Sequence, residues 1–107
     1  MPNRRIEVLT FDGCPNANAA RALLDRVAAG LGVEAEAASI RVPDVDAAER
    51  LRFLGSPSIR VDGRDVERGA AGRTDYVLAC RVYATASGRS NLPDEAWLRA
   101  ALSESKE

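Results

Sequence analysis

The stretch that most constrains the fold is the first third of the chain, where a strand pattern passes through a cysteine-bearing turn into a helix pattern. Residues 5–11, Arg-Ile-Glu-Val-Leu-Thr-Phe, set Ile6 and Val8 against charged neighbours and then become continuously apolar, as in a central strand covered on both faces. Asp12-Gly13-Cys14-Pro15-Asn16 supplies turn chemistry. Ala17, Ala20, Leu24, Val27, Ala28 and Leu31 then recur at steps of three and four, which predicts a helix with one buried stripe, ended by Gly30 and Gly32. Residues 33–42 contain a second strand, centred on Ser39-Ile40-Arg41-Val42 and closed by Pro43. Strand, helix and strand in this order form a βαβ unit with a right-handed crossover.

The remainder reads as a second, differently connected half. Asp44 or Asp46 can cap a short helix through Ala47, Ala48, Leu51 and Leu54, with Gly55 as its left-handed terminator. Ser58-Ile59-Arg60-Val61 and Arg64-Asp65-Val66 alternate around Asp62-Gly63, a dipeptide suited to the two positive φ values of a type I′ turn. Residues 67–91 read as mostly irregular, with one short strand or turn. Pro93-Asp94-Glu95 then opens a final helix, and 103–107 reads as a frayed tail. The expectation is one α/β domain over 1–107, ordered β-α-β-α-β-β-α, with a four-stranded mixed sheet of strand order 2-1-3-4 and helices on both faces.

Composition narrows the chemistry. None of the 107 residues is histidine, which removes histidine general bases, Ser-His-Asp triads and histidine-containing zinc sites. Fifteen basic against sixteen acidic residues leave no cationic excess for a phosphate backbone, so nucleic acid is not an expected partner. Trp97 and Phe53 read as core anchors, since a single tryptophan and few other aromatics make no stacking platform. No apolar run approaches the roughly 20 residues that span a bilayer, and residues 1–6 lack a secretory pattern. A cytoplasmic protein without membrane attachment is therefore expected, as a monomer or weak homodimer. Cys14 and Cys80 are the only cysteines, and two thiols in a reducing compartment read as free or redox-active.

With the βαβ-α-ββ-α order, a cysteine at a helix start after the first strand, and Gly55-Ser56-Pro57-Ser58 before the third, residues 5–66 resemble the thioredoxin/glutaredoxin fold. More narrowly, Phe11-Asp12-Gly13-Cys14-Pro15-Asn16, residues 52–63 (Arg-Phe-Leu-Gly-Ser-Pro-Ser-Ile-Arg-Val-Asp-Gly), Thr74-Asp75-Tyr76 and Cys80-Arg81-Val82-Tyr83 are similar to small bacterial thioredoxin-family proteins, some of them labelled alkylmercury-lyase-like. The resemblance implies a cis Ser56–Pro57 bond packed beside Cys14, with Ser56 offering its backbone N–H and C=O to an extended partner. It also implies that residues 69–75 lie where glutaredoxin-like proteins hold the ammonium end of glutathione, with Asp75 as acceptor and Arg73 as a carboxylate partner; a solvated connector is the plainer alternative. One departure matters. Ala17 stands where a C-x-x-C motif has its second cysteine, so the usual intramolecular release step is missing.

These residues support one leading chemistry. Cys14 sits where first-turn amides and the helix dipole favour an anion, so a nucleophilic thiolate is expected there. Pro15 offers no N–H and presets the turn, while Asn16 either caps the helix or orients a bound sulfur ligand. Asp12 serves as an Asx turn or as a proton relay. Cys80 has three readings: a small hydrophobe in the core, a resolving thiol for Cys14, or a second thiolate for a soft cation such as mercury or copper(I). The leading expectation is thiol–disulfide exchange through Cys14 with a small thiol, glutathione among the candidates, or with a protein disulfide, and with no resident cofactor or metal. The alternatives are soft-metal or organomercurial binding by Cys14 and Cys80, and a non-catalytic binding module.

Overall fold

The structure, a computed structural model, describes residues 5–33 and 36–103. The strand pattern at the start becomes β1 (Ile6–Thr10), followed by α1 (Ala17–Leu31), β2 (Ala37–Arg41), α2 (Val45–Arg50), β3 (Ser58–Val61) and β4 (Arg64–Asp65). A single 3-10 turn (Ala70–Gly72), β5 (Tyr83–Thr85), β6 (Gly88–Ser90) and α3 (Glu95–Ser103) complete it. The four-stranded sheet has the expected order β2-β1-β3-β4. β1 pairs parallel with β2, from Ile6 opposite Ala37 to Thr10 opposite Arg41, and antiparallel with β3, from Ile6 opposite Val61 to Leu9 opposite Ser58. The tail expected at 103–107 lies outside the described residues except for Ser103, which ends α3.

Side-chain alternation along β1 builds two cores. Ile6 and Val8 join Ile59 and Val61 under Leu24 and Val27 of α1 and Leu98 and Leu102 of α3. Leu9 turns to the opposite face, where Val42, Phe53 and the α2 residues Ala47 and Ala48 cover it. The sheet is thus enclosed on both faces, the arrangement that a continuous apolar strand requires. Gly32 ends α1 in the left-handed conformation at φ 67°, and Asp62 and Gly63 take the positive φ values of 54° and 84° that a type I′ turn demands. No helix among the described residues is long and apolar enough to cross a membrane.

Two expectations are corrected. α2 stops at Arg50, before Leu54 and Gly55, after starting from an Asp44 carboxylate that accepts the Ala47 N–H at 2.8 Å. Gly55 serves a different purpose: at φ 123° it lets the backbone approach residue 81, and a Cβ there would lie 2.9 Å from Arg81 Cβ and 3.1 Å from its Cα. Gly55→Ala is therefore expected to destabilise the fold by about 2–4 kcal/mol, combining an unfavourable φ with overpacking. Urea unfolding of the variant measures this, and a loss below about 0.5 kcal/mol would show that the approach is slack.

Residues 67–91 are also more ordered than expected. β5 and β6 form a hairpin in register from Tyr83 opposite Ser90 to Thr85 opposite Gly88. Asp94 fastens its turn to the start of α3, accepting Ala86 N–H at 3.0 Å and Ala96 N–H at 2.9 Å, and these two donors lower its carboxyl pKa. The Tyr83 ring, fully buried, lies 6.2 Å from Trp97.

Candidate functional site

Cys14 occupies the turn between β1 and α1. Its N–H donates to Phe11 C=O at 3.2 Å and its C=O accepts from Ala17 at 3.4 Å, and the residue is half-buried. Asn16 is the N-cap of α1, with a backbone carbonyl that accepts Ala20 N–H at 3.0 Å and a side chain that makes no capping hydrogen bond. The expected side-chain cap is absent, while Pro15 is exposed ahead of it. Asp12 does not turn its carboxylate to a local Asx turn or relay. It grips Arg41 at the end of β2, with Nε at 2.8 and 2.9 Å from the two carboxylate oxygens. The Arg41 hydrogen bond holds the Asp12 carboxyl below its usual range, so the group is ionised at neutral pH and has no proton to give.

Across the sheet, Ser56 is fully buried and precedes a cis bond to Pro57, as the resemblance implied. Its Oγ accepts the Phe11 N–H at 3.4 Å. Phe11 therefore links the two loops, binding Cys14 through its carbonyl and Ser56 through its amide. Ser56 does not hold its backbone open for a visitor. Its N–H donates to Ala79 C=O and its C=O accepts Arg81 N–H, each at 2.8 Å, which sets Cys80 opposite Ser56 in a parallel bridge. Val77 N–H adds a third bond, to Phe53 C=O at 2.9 Å.

Cys80 is consequently not a core residue: it is an exposed, free thiol, as Cys14 is a free thiol. In the apolar run before it Val77 is 44% exposed, whereas Leu78 packs against the core around Leu9 and Phe53. What is buried in its place is Arg81, whose side chain is only 1% exposed. The guanidinium reaches Ser58 Oγ at 2.8 Å, both Asp65 oxygens at 2.7 and 3.1 Å, and Glu67 Oε1 at 2.5 Å. It also lies 4.3 Å from the centre of the Tyr83 ring, while Tyr83 OH donates to Pro57 C=O at 2.5 Å. Burial works to strip the charge from Arg81, but the hydrogen bonds and charges of Asp65 and Glu67 outweigh it and hold the guanidinium pKa above its ordinary value. Burial likewise pushes the Tyr83 phenol up.

Phe11 thus joins the turn of Cys14 to Ser56, the backbone of Ser56 pairs with residues 79–81, and Asp75 is engaged by its own neighbour. Asp75 is held by Arg73, at 3.0 Å from Nε and 2.7 Å from Nη2, and that pairing lowers its carboxyl pKa. Arg73 also binds Glu67 at 3.1 Å, which joins the Arg73–Asp75 pair to the Arg81 cluster. A cleft of about 340 Å³, lined by Arg52, Leu54, Arg60, Arg73 and Tyr76 among others, contains neither cysteine. Arg81 is the residue that sequence reasoning missed. Residues 80–83 alternate in the structure, Cys80 and Val82 exposed and Arg81 and Tyr83 buried, and Arg81 meets an Asp65-x-Glu67 pair of the same periodicity, but the sequence of this short stretch does not mark which face is buried. Among the described residues no group of three or more Cys, Asp or Glu could hold a metal ion. Compared with known proteins, the chain matches no family model and no curated protein.

Proposed function

We propose that this is a thioredoxin-like thiol–disulfide exchange protein, with Cys14 as the attacking thiol and Cys80 as the second thiol. The observation that carries the reading is the pairing of Ser56 with residues 79–81. It holds the Cys80 segment against the residue whose hydroxyl meets the turn of Cys14. A helix start is a favourable place for a negative charge, and Cys14 stands three residues before α1. Both sulfurs are free, which suits a reducing compartment such as the cytoplasm.

The chemistry closes on these two thiols and one disulfide. The Cys14 thiolate attacks one sulfur of RSSR, forming a mixed disulfide and expelling RS⁻, which takes up a proton. The Cys80 thiolate then attacks the Cys14 sulfur and expels the second RS⁻. Two electrons pass from the protein to the disulfide, leaving two RSH and a Cys14–Cys80 bridge. Ala17 can take no part in the second step, so that step falls to Cys80 or to an external thiol. Asp12, bound to Arg41, supplies no proton. Substituting Cys14→Ser is expected to slow reduction of a small aliphatic disulfide by about 100-fold or more, since a serine hydroxyl is not an effective nucleophile without a base. Stopped-flow release of the leaving thiol measures it, and an unchanged rate would overturn the assignment.

A further inference from the structure

We infer that this site accepts small-molecule disulfides and gives an extended peptide no backbone hold beyond theirs, an inference that rests on the exchange reading above. A peptide gains affinity at a sheet by lending its backbone to unpaired strand groups, and those of Ser56, the buried residue joined through Phe11 to the turn of Cys14, are already used. The occupant is the chain itself. Val77, Ala79 and Arg81 contribute three backbone hydrogen bonds to residues 53–56, at 2.8–2.9 Å.

This occupant is built in. Withdrawing residues 79–81 from Ser56 means drawing Arg81 away from Ser58, Asp65 and Glu67, and removing one partner from a buried ion pair is strongly unfavourable. Asn91 Nδ2 adds a bond to Arg81 C=O at 2.9 Å, and Gly55 admits the segment at a distance that no Cβ would tolerate. An incoming peptide must displace all of these contacts to reach Ser56. A small disulfide needs none of that backbone, only the thiols of Cys14, a half-buried residue, and Cys80, an exposed one.

The test compares two symmetrical disulfides of matched leaving-thiol acidity: N-acetylcysteine methylamide, and the same cysteine at the centre of an extended seven-residue peptide. The wild-type protein should reduce them at rates within about threefold of each other, because the flanking residues find no backbone partner; a peptide advantage of about tenfold or more would overturn the inference. Amide hydrogen exchange on the same protein provides the second measurement. The N–H groups of Ser56 and Arg81 should be protected to the level of β1 and β3, and exchange as fast as in exposed loops would show the pairing to be open and overturn it. Cys14-dependent reduction with a strong peptide preference removes this inference alone, whereas reduction that is indifferent to Cys14→Ser removes the exchange reading and the inference with it.

Discussion

Arg81→Ala is expected to lower the unfolding free energy by about 3–5 kcal/mol, the range for removing one partner from a buried ion pair. The size follows from what stays behind. Asp65 and Glu67 keep side chains only 12% and 16% exposed, now without the cation that faces both, and Ser58 Oγ loses the guanidinium bond. Against about 5–15 kcal/mol for a domain of ordinary stability, the variant should fall close to the limit of folding. In urea the midpoint should drop steeply with little change in slope, since the same surface is exposed on unfolding. Arg81→Lys should recover only part of the loss, because an ammonium cannot reproduce the forked contact with both Asp65 oxygens. Combining Arg81→Met with Asp65→Asn and Glu67→Gln should restore most of it, as the uncompensated charge is then gone. A loss under about 1 kcal/mol for Arg81→Ala would mean that the cluster is solvated in solution and does not anchor residues 79–81.

The second large effect is expected at Cys80→Ser. Exposed positions outside the core tolerate substitution within about 0.5 kcal/mol, so this variant should fold as the wild type does. Its chemistry should stop halfway. Cys14 still attacks a small disulfide and releases the first thiol, but no internal sulfur remains to release the second, and the mixed disulfide on Cys14 accumulates until an external thiol is added. Wild-type protein should release two thiols per molecule and the variant one, which a thiol titration after removal of the protein counts directly. Two thiols released by both proteins would assign the second step elsewhere.

The legible parts of this protein are those written in local periodicity. The change from a period of two at Ile6 and Val8 to steps of three and four from Ala17 marked β1, its turn and α1, and Asp62-Gly63 marked the β3–β4 hairpin by its tolerance of positive φ. Strand order followed from the βαβ connection and the hairpin. What escaped depends on partners distant in sequence. An arginine in an apolar stretch reads as solvated until Asp65 and Glu67, 16 and 14 residues away, are folded against it. Gly55 reads as a helix terminator because its close neighbour, Arg81, is likewise remote. The β5–β6 turn carries Ala86 and Ser87 in place of the Asn-Gly or Asp-Gly pair that announces a hairpin. At the site, Cys14 could be placed from its helix start, whereas the closure of Ser56 by residues 79–81 is a tertiary pairing with no local signature.

Whether Cys14 and Cys80 act together is read from a disulfide map of the wild-type protein after reaction with one equivalent of a small aliphatic disulfide, quenched in acid and digested. A linked pair of peptides containing Cys14 and Cys80 is expected, with the intact protein lighter by two hydrogen atoms and no small molecule attached. Separate adducts on Cys14 and Cys80, with no linked pair at any time point, would contradict that pairing.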